Sequence, residues 1–323
     1  MTTPAERYAA AKLRGQHPVT TEFLLTFDFE FDPFQITACH AVEDGKGVLV
    51  AAPTGAGKTV VGEFAAFFAL QAGKKCFYTT PIKALSNQKY SEFVSKFGED
   101  RVGLLTGDTS INGEADILVM TTEVLRNMLY AGSNTLTNLG CVVMDEVHYL
   151  ADKFRGAVWE EVLIHLMESV QVISLSATVS NAEEFGEWLG EVRGETEVIV
   201  SEIRPIPLFQ HVLIGNRLMD LFDQPGKINP EILQREREAI RRSSLGRNRR
   251  GRFSEPSDRM SRAEIIEKLQ RENLLPAITF IFSRVGCDAA VKQCLHAGLR
   301  LTSPEERVEI RQTALRYTQN IAE

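Results

Sequence analysis

Between Gly47 and about Ser201 the chain alternates short runs of consecutive apolar residues with longer stretches of mixed polarity. The runs are Val48–Ala52, Cys76–Thr80, Ile117–Met120, Cys141–Met144 and Val172–Leu175. They lack the in–out alternation of a strand with one wet face. Unbroken apolarity over so few residues suits a strand whose sheet is covered by helices on both sides. The intervening stretches Thr59–Ala72, Lys83–Lys96, Glu123–Tyr130 and Asn181–Leu189 are long enough to be helices. Strand and helix in alternation predict an α/β fold, a parallel sheet flanked by helices.

After Pro205 the rhythm lapses, and residues 205–261 read as a linker. Arg235 to Arg252 contains eight arginines against Glu236 and Glu238, and Ser243 to Asp258 reads as a mobile loop. A second α/β rhythm then starts, with a helix near Arg262–Asn273, a strand at Ala277–Phe282 and a helix near Cys287–His296. Ser303-Pro304-Glu305-Glu306 is a capping box with proline at the first helical position. Ile310, Ala314, Tyr317 and Ile321 share one face of the helix it opens, and that face needs a partner. The expected organisation is an extension at 1–22, a first domain at 23–204, the linker, and the incomplete start of a second domain at 262–323.

Composition narrows the class without deciding it. Of 323 residues, 44% are hydrophobic and 24% charged, which fits a globular chain long enough for two domains. The net charge of -7 argues against coating nucleic acid by charge alone, though not against local gripping contacts. Cys39, Cys76, Cys141, Cys287 and Cys294 show no Cys-x-x-Cys spacing, as expected in a reducing compartment. Met1 to Gln16 lacks the apolar segment of a signal peptide, and no apolar run is long enough to span a bilayer. A cytoplasmic chain with no membrane partner is the expectation.

Candidate chemistry begins at Ala52-Pro53-Thr54-Gly55-Ala56-Gly57-Lys58-Thr59, which follows one predicted strand and opens a helix. Gly55 and Gly57 let backbone N–H groups turn inward around phosphates, where the helix N-terminus adds positive potential. Lys58 is placed to meet the β and γ phosphates, and the Thr59 hydroxyl to hold Mg²⁺. Ala52 replaces the first glycine of the strict pattern, and a glycine-rich turn of no function is the bland alternative. About ninety residues on, the apolar run Cys141–Met144 ends in Asp145-Glu146-Val147-His148. Carboxylates at that edge of a parallel sheet face the ligand crevice. Asp145 is expected to hold Mg²⁺ opposite Thr59, and Glu146 to orient and deprotonate an attacking water.

Six ordered segments then resemble one family. Asp145-Glu146-Val147-His148 is similar to the DExH box of superfamily 2 helicases, and Ser176-Ala177-Thr178 to the motif that couples hydrolysis to nucleic-acid contacts. Thr80-Pro81-Ile82-Lys83-Ala84-Leu85-Ser86-Asn87-Gln88-Lys89 and Thr121-Thr122-Glu123 resemble contacts to the nucleic-acid backbone. Phe31-Asp32-Pro33-Phe34-Gln35 resembles the adenine-reading segment, and Phe280-Ile281-Phe282-Ser283-Arg284 the fourth helicase motif. The wording is nearest to the superkiller-like branch of DExH-box RNA helicases, and within it to HelY-type bacterial proteins.

The resemblance covers about Phe23 to the C-terminus and implies a RecA-like first domain and an incomplete second one. It implies ATP and Mg²⁺ as cofactors and RNA as partner. Gln35 would contact the base; Pro81, Lys83, Thr121, Thr122, Glu123, Ser283 and Arg284 would contact nucleic acid; His148, Ser176 and Thr178 would couple the two sites. Physically, the Thr122 hydroxyl at a helix start can hold a phosphate oxygen, and Lys83 and Lys89 can add Coulomb attraction. A solvated helix face is the bland alternative for these lysines, and a satisfied core histidine for His148. The Arg-rich stretch reads first as a solvated loop and second as an RNA arm, to be separated by neutralising Arg247, Arg249, Arg250 and Arg252 and measuring the salt slope of RNA binding.

The family's second domain also supplies an arginine finger and a glycine-rich Arg motif. The 41 residues after Phe282 contain no Arg-Gly-Arg-Arg-Gly string, and Arg249-Arg250-Gly251-Arg252 precedes the fourth motif. The expectation is therefore an N-terminal portion of an ATP-dependent RNA helicase. The alternatives are an ATP- and RNA-binding module with little turnover, and a DNA helicase of a neighbouring branch.

Overall fold

The computed structural model describes residues 15–152, 155–177, 181–224, 226–245 and 260–318. The chain forms two units that divide between Pro207 and Leu208.

The first unit is built on a sheet of eight strands: β1 (Gly47–Ala51), β2 (Lys75–Thr80), β3 (Val102–Leu105), β4 (Ser110–Ile111), β5 (Ile117–Thr121), β6 (Leu139–Met144), β7 (Gln171–Ser176) and β8 (Thr196–Val200). Their spatial order is β4-β3-β5-β2-β6-β7-β1-β8. All neighbours are parallel except the β3–β4 pair. The helices are α1 (Pro18–Leu24), α2 (Pro33–Glu43), α3 (Thr59–Gln71), α4 (Lys83–Phe97), α5 (Thr122–Ala131), α6 (Gly156–His165) and α7 (Ala182–Arg193). This is the RecA-like arrangement that the motifs imply.

The unbroken apolarity of the strands now has a direct explanation. Successive side chains leave a strand on opposite faces, so each strand supplies two cores. Val48, Val50, Cys76, Tyr78, Val119 and Val143 enter one, beside Phe64 of α3 and Phe93 of α4. Leu49, Phe77, Leu118, Met120, Val142 and Met144 enter the other, with Trp159 of α6. Each large side chain so buried contributes roughly 1.5–3 kcal/mol. Helix α3 lies so close to the sheet that a Cβ on Gly62 would stand 2.8 Å from the Tyr78 ring and 3.1 Å from Val143.

Two polar devices fix the periphery. Glu43 accepts from the backbone N–H groups of Val19 (3.0 Å) and Thr20 (2.8 Å) and from the Thr20 hydroxyl (2.6 Å), which ties α1 to the end of α2. At the far side Arg193 donates to the carbonyls of Leu166 (2.7 Å), Met167 (2.7 Å) and Val170 (2.9 Å), with Leu163 at 3.4 Å. Its guanidinium thus caps the end of α6 and holds the connection into β7.

The second unit differs from the expected linker and α/β rhythm. Residues 211–228 form two small antiparallel pairs, β9 (His211–Ile214) with β10 (Arg217–Asp220) and β11 (Phe222–Gln224) with β12 (Lys227–Ile228). The two-residue link Gly215-Asn216 between apolar runs is the hairpin signal here. Helix α8 (Pro230–Leu245) then carries the start of the Arg-rich stretch, so Ser243–Leu245 end a helix rather than open a loop. Arg247, Arg249, Arg250 and Arg252 lie outside the described residues.

Helices α9 (Arg262–Arg271), α10 (Arg284–His296) and α11 (Pro304–Thr318) follow. Capping boxes at Ser261/Glu264 and Ser303/Glu306 open the first and last of them. Ala277–Phe282 is not a strand: no strand lies beside it among the described residues, and Ile278 and Phe280 are 83% and 80% exposed. Strand propensity without a neighbour to hydrogen-bond leaves an extended segment. The apolar face of α11 is likewise exposed at Ile310 and Tyr317. Ile321 lies outside the described residues.

Candidate functional site

Ala52 to Thr59 leaves the C-terminal end of β1, turns through Gly55 (φ +87°) and Gly57 (φ +80°), and enters α3. No side chain comes near a Cβ built on Gly55, whereas one on Gly57 would meet Gln35 Nε2 at 2.6 Å. Lys58 is buried, and its ammonium donates to the carbonyls of Ala52 (2.7 Å) and Pro53 (3.1 Å), which holds it inside the loop. Desolvation lowers its pKa, against the opposing pull of Glu146 and Asp145. Gln35 is engaged at both ends: Nε2 donates to the Gly57 carbonyl (3.0 Å), and Oε1 accepts from the Asp32 backbone (2.9 Å). Its amide therefore opens α2 as half of a capping box and props the phosphate loop.

The carboxylates sit across from the loop at the end of β6. Asp145 Oδ2 accepts from the Tyr78 hydroxyl (2.8 Å), and Oδ1 from the Glu146 backbone (2.9 Å). Burial raises the Asp145 pKa, and the hydrogen bond from Tyr78 and the charges of Lys89 and Lys58 pull it down. Glu146 has left-handed backbone (φ +56°), which swings its side chain away from the strand direction. Burial first, and then the Asp145 charge, raise its pKa. Its Oε2 is buried with no hydrogen-bond partner among the described residues.

His148 Nδ1 lies 3.3 Å from that oxygen, but it also accepts the backbone N–H of Ala177 at 3.5 Å. A ring nitrogen that accepts an N–H has no proton to offer a carboxylate. The 3.3 Å approach is therefore not a hydrogen bond. His148 links the DExH segment to the end of β7 through Ala177, beside the buried Ser176, whose carbonyl accepts from Ala52 N at 3.1 Å. Thr178 lies outside the described residues.

Two residues singled out for nucleic acid serve other purposes. The Thr122 hydroxyl is buried and donates to the Thr80 carbonyl (3.3 Å), so it is not free to hold a phosphate. Lys89 points toward the start of α3: Nζ donates to the Thr59 hydroxyl (3.3 Å) and to Glu92 (2.7 Å). Lys83 is exposed and ion-paired with Asp108. Pro81 is buried, and its carbonyl accepts from Arg155 (3.2 Å), a residue that no motif marked. Thr121 stands at the N-cap position of α5 without a side-chain capping bond, and Glu123 stands in its first turn. In the second unit Ser283 caps α10 by accepting from Gly286 N (3.1 Å), and Arg284 starts that helix, exposed.

Tyr78 is the other residue that the motifs passed over. It lies inside an apolar run and reads as core, and only the pairing of β2 with β6 brings it to Asp145.

Residues 32–185 match the DEAD/DEAH box helicase family. Over 302 residues, 89% of its length, the chain is 58% identical to the probable helicase HelY of Mycobacterium leprae and covers 33% of it. It is 41% identical over 316 residues to the chloroplastic DExH-box ATP-dependent RNA helicase DExH15 of Arabidopsis thaliana, with 84% of the chain and 26% of that protein covered. It is 40% identical over 296 residues to the mouse (Mus musculus) Superkiller complex protein 2, with 87% and 24% covered. The chain thus spans about a third or less of the length of these relatives. No described helix is long and apolar enough to cross a membrane.

Proposed function

From the match of residues 32–185 to the DEAD/DEAH box helicase family and the similarity to HelY and to Superkiller complex protein 2, we propose that the chain is part of an ATP-dependent RNA helicase and that its first unit binds and hydrolyses ATP. One observation carries the reading: the unpartnered carboxylate oxygen of Glu146 sits with Asp145 at the end of β6, and the charges of both act on Lys58 in the phosphate loop. A buried acceptor with no donor is costly unless something in the site supplies one. An attacking water is such a donor.

The residues fit a nucleotide and its metal. Lys58 exchanges the carbonyls of Ala52 and Pro53 for phosphate oxygens, and the backbone N–H groups of Gly55 to Thr59 surround them. Thr59 and Asp145 would hold magnesium; among the described residues no group of three or more His, Cys, Asp or Glu is arranged to hold a metal ion by itself. That donor set suits magnesium, which keeps waters and phosphate oxygens as its other ligands. When bound, the metal neutralises charge developing on the phosphate oxygens. Glu146 orients the water and takes its proton, helped by burial and the Asp145 charge, which raise its pKa. Tyr78 fixes the rotamer of Asp145. His148 passes the state of this corner to the end of β7 through Ala177. Exposed Lys83, the N-terminus of α5 at Thr121–Glu123, and Ser283 and Arg284 are the candidate contacts to the RNA backbone.

ATP hydrolysis by the 323-residue chain, with and without single-stranded RNA, tests the proposal against Glu146→Gln. RNA-stimulated turnover that vanishes in the variant supports it. Nucleotide binding without turnover favours a binding module. A matched DNA strand that stimulates equally removes the RNA assignment.

A further inference from the structure

Lys89 belongs by sequence to a segment that resembles a nucleic-acid contact, yet its ammonium lies on the hydroxyl of Thr59. Its side chain is only 12% exposed. It is held on the other side by Glu92, whose second oxygen accepts from Gln88 (2.9 Å), so the lysine is anchored rather than mobile. No solvated helix face explains an ammonium turned inward toward a phosphate loop.

We propose that Lys89 is the resident counter-charge of the metal corner: it keeps the nucleotide-free site from taking up a free divalent cation, so that metal enters together with the phosphates of the nucleotide. The inference rests on the reading of Thr59 and Asp145 as metal ligands and adds what governs their loading.

The argument is electrostatic. A metal on the Thr59 hydroxyl and an ammonium on the same hydroxyl share one oxygen, and two positive charges that close repel strongly even where water reaches them. Asp145 and Glu146 alone would make an attractive site for a free dication. Lys89, although paired with Glu92, acts on both, and Lys58 does as well, so two ammonium groups already oppose the charge of the two carboxylates before any ligand arrives. The phosphates of a nucleotide add several negative charges at once and restore the attraction for metal. Helix α4 also begins at Lys83, so the residue that guards the metal sits on the element whose first turn offers an exposed charge to nucleic acid.

Manganese binding to the whole nucleotide-free chain, followed by paramagnetic resonance, tests this without any turnover. Lys89→Met and Lys89→Gln are expected to bind Mn²⁺ about tenfold more tightly than the unmodified chain. Lys89→Arg, which keeps the charge, is expected to bind as weakly as the unmodified chain. Adding Asp145→Asn to Lys89→Met should abolish the gain, which places the ion at this corner. The proposal is overturned if neither neutral variant gains affinity, if Lys89→Arg gains as much as Lys89→Met, or if the gain survives Asp145→Asn. Failure to bind ATP in a parallel titration would instead count against the nucleotide reading, with the manganese result standing apart.

Discussion

Replacing Tyr78 by phenylalanine removes one oxygen atom and tests how the metal corner is held. The tyrosine is fully buried, its ring packs edge-on against Phe93 at 5.1 Å, and its hydroxyl donates to Asp145 Oδ2 at 2.8 Å. The phenyl ring keeps the packing, so the loss is essentially one hydrogen bond to a charged acceptor, worth about 1.5–3 kcal/mol. In a domain of this size about 2 kcal/mol corresponds to a fall of roughly 4–8 °C in melting temperature.

The sign with pH follows from Asp145. Burial raises its folded pKa and the Tyr78 hydrogen bond opposes that rise, so the variant pushes it higher still. The penalty is therefore full where the carboxylate is charged, and it shrinks as pH falls through the folded pKa and the acceptor becomes neutral. Urea unfolding followed by tryptophan emission is the assay. The chain has two tryptophans, Trp159 and Trp188, and both lie in the first unit, so the signal reports that unit alone. The reasoning is refuted if Tyr78→Phe costs as much in an Asp145→Asn background as in the unmodified chain, because the hydroxyl would then be acting on something else.

Three further outcomes follow. Arg193→Ala strips the donors from the carbonyls at the end of α6 and should cost about 3 kcal/mol, read from the same tryptophan transition; a change below about 0.5 kcal/mol would show that water replaces the clamp. Gly57→Ala puts a methyl group 2.6 Å from Gln35 Nε2 on left-handed backbone, and should cost about 1–3 kcal/mol together with most of the affinity for a fluorescent ATP analogue; unaltered nucleotide binding would contradict the proposed role of the loop. Because the folded pKa values of Asp145 and Glu146 are both raised, the folded state holds more protons than the unfolded chain, and this pair costs stability as pH rises from about 4 through the folded values. Glu146→Gln should thus be more stable than the unmodified chain at pH 7.5 and match it below about pH 4, and equal melting temperatures across the range would refute the assignment.

Much of the first unit was legible because its strands are buried on both faces. All five apolar runs fall within the observed strands or reach at most one residue past them, as Val48–Ala52 does past β1. β3 and β8 escape that criterion, since Gly103 interrupts one and Thr196 and Glu197 open the other at the sheet edge. Motif wording singled out the Ala52–Thr59 loop and the Asp145–Glu146 pair, but not where individual side chains turn. Thr122 and Lys89 look alike in sequence as polar residues on helices near a contact motif, yet a buried carbonyl claims one and the Thr59 hydroxyl the other. Tyr78 and Asp145 are 67 residues apart, and only strand pairing makes them neighbours. Ala277–Phe282 misled for the opposite reason: its residues suit a strand, but a strand also requires a neighbour.

The sheet has a working end and an idle end. Every site residue of the first unit leaves the C-terminal edge of β1, β2, β5, β6 or β7, or joins them there from the facing loop and helices. The opposite edge carries returns such as Gly73-Lys74 and Gly132-Ser133, each served by a left-handed glycine that is exposed. A five-residue strand places about 17 Å between the two edges. Dyes, affinity handles or short inserted peptides can therefore be attached at Gly73-Lys74 or Gly132-Ser133 to watch the protein at work, with the chemistry a full strand length away.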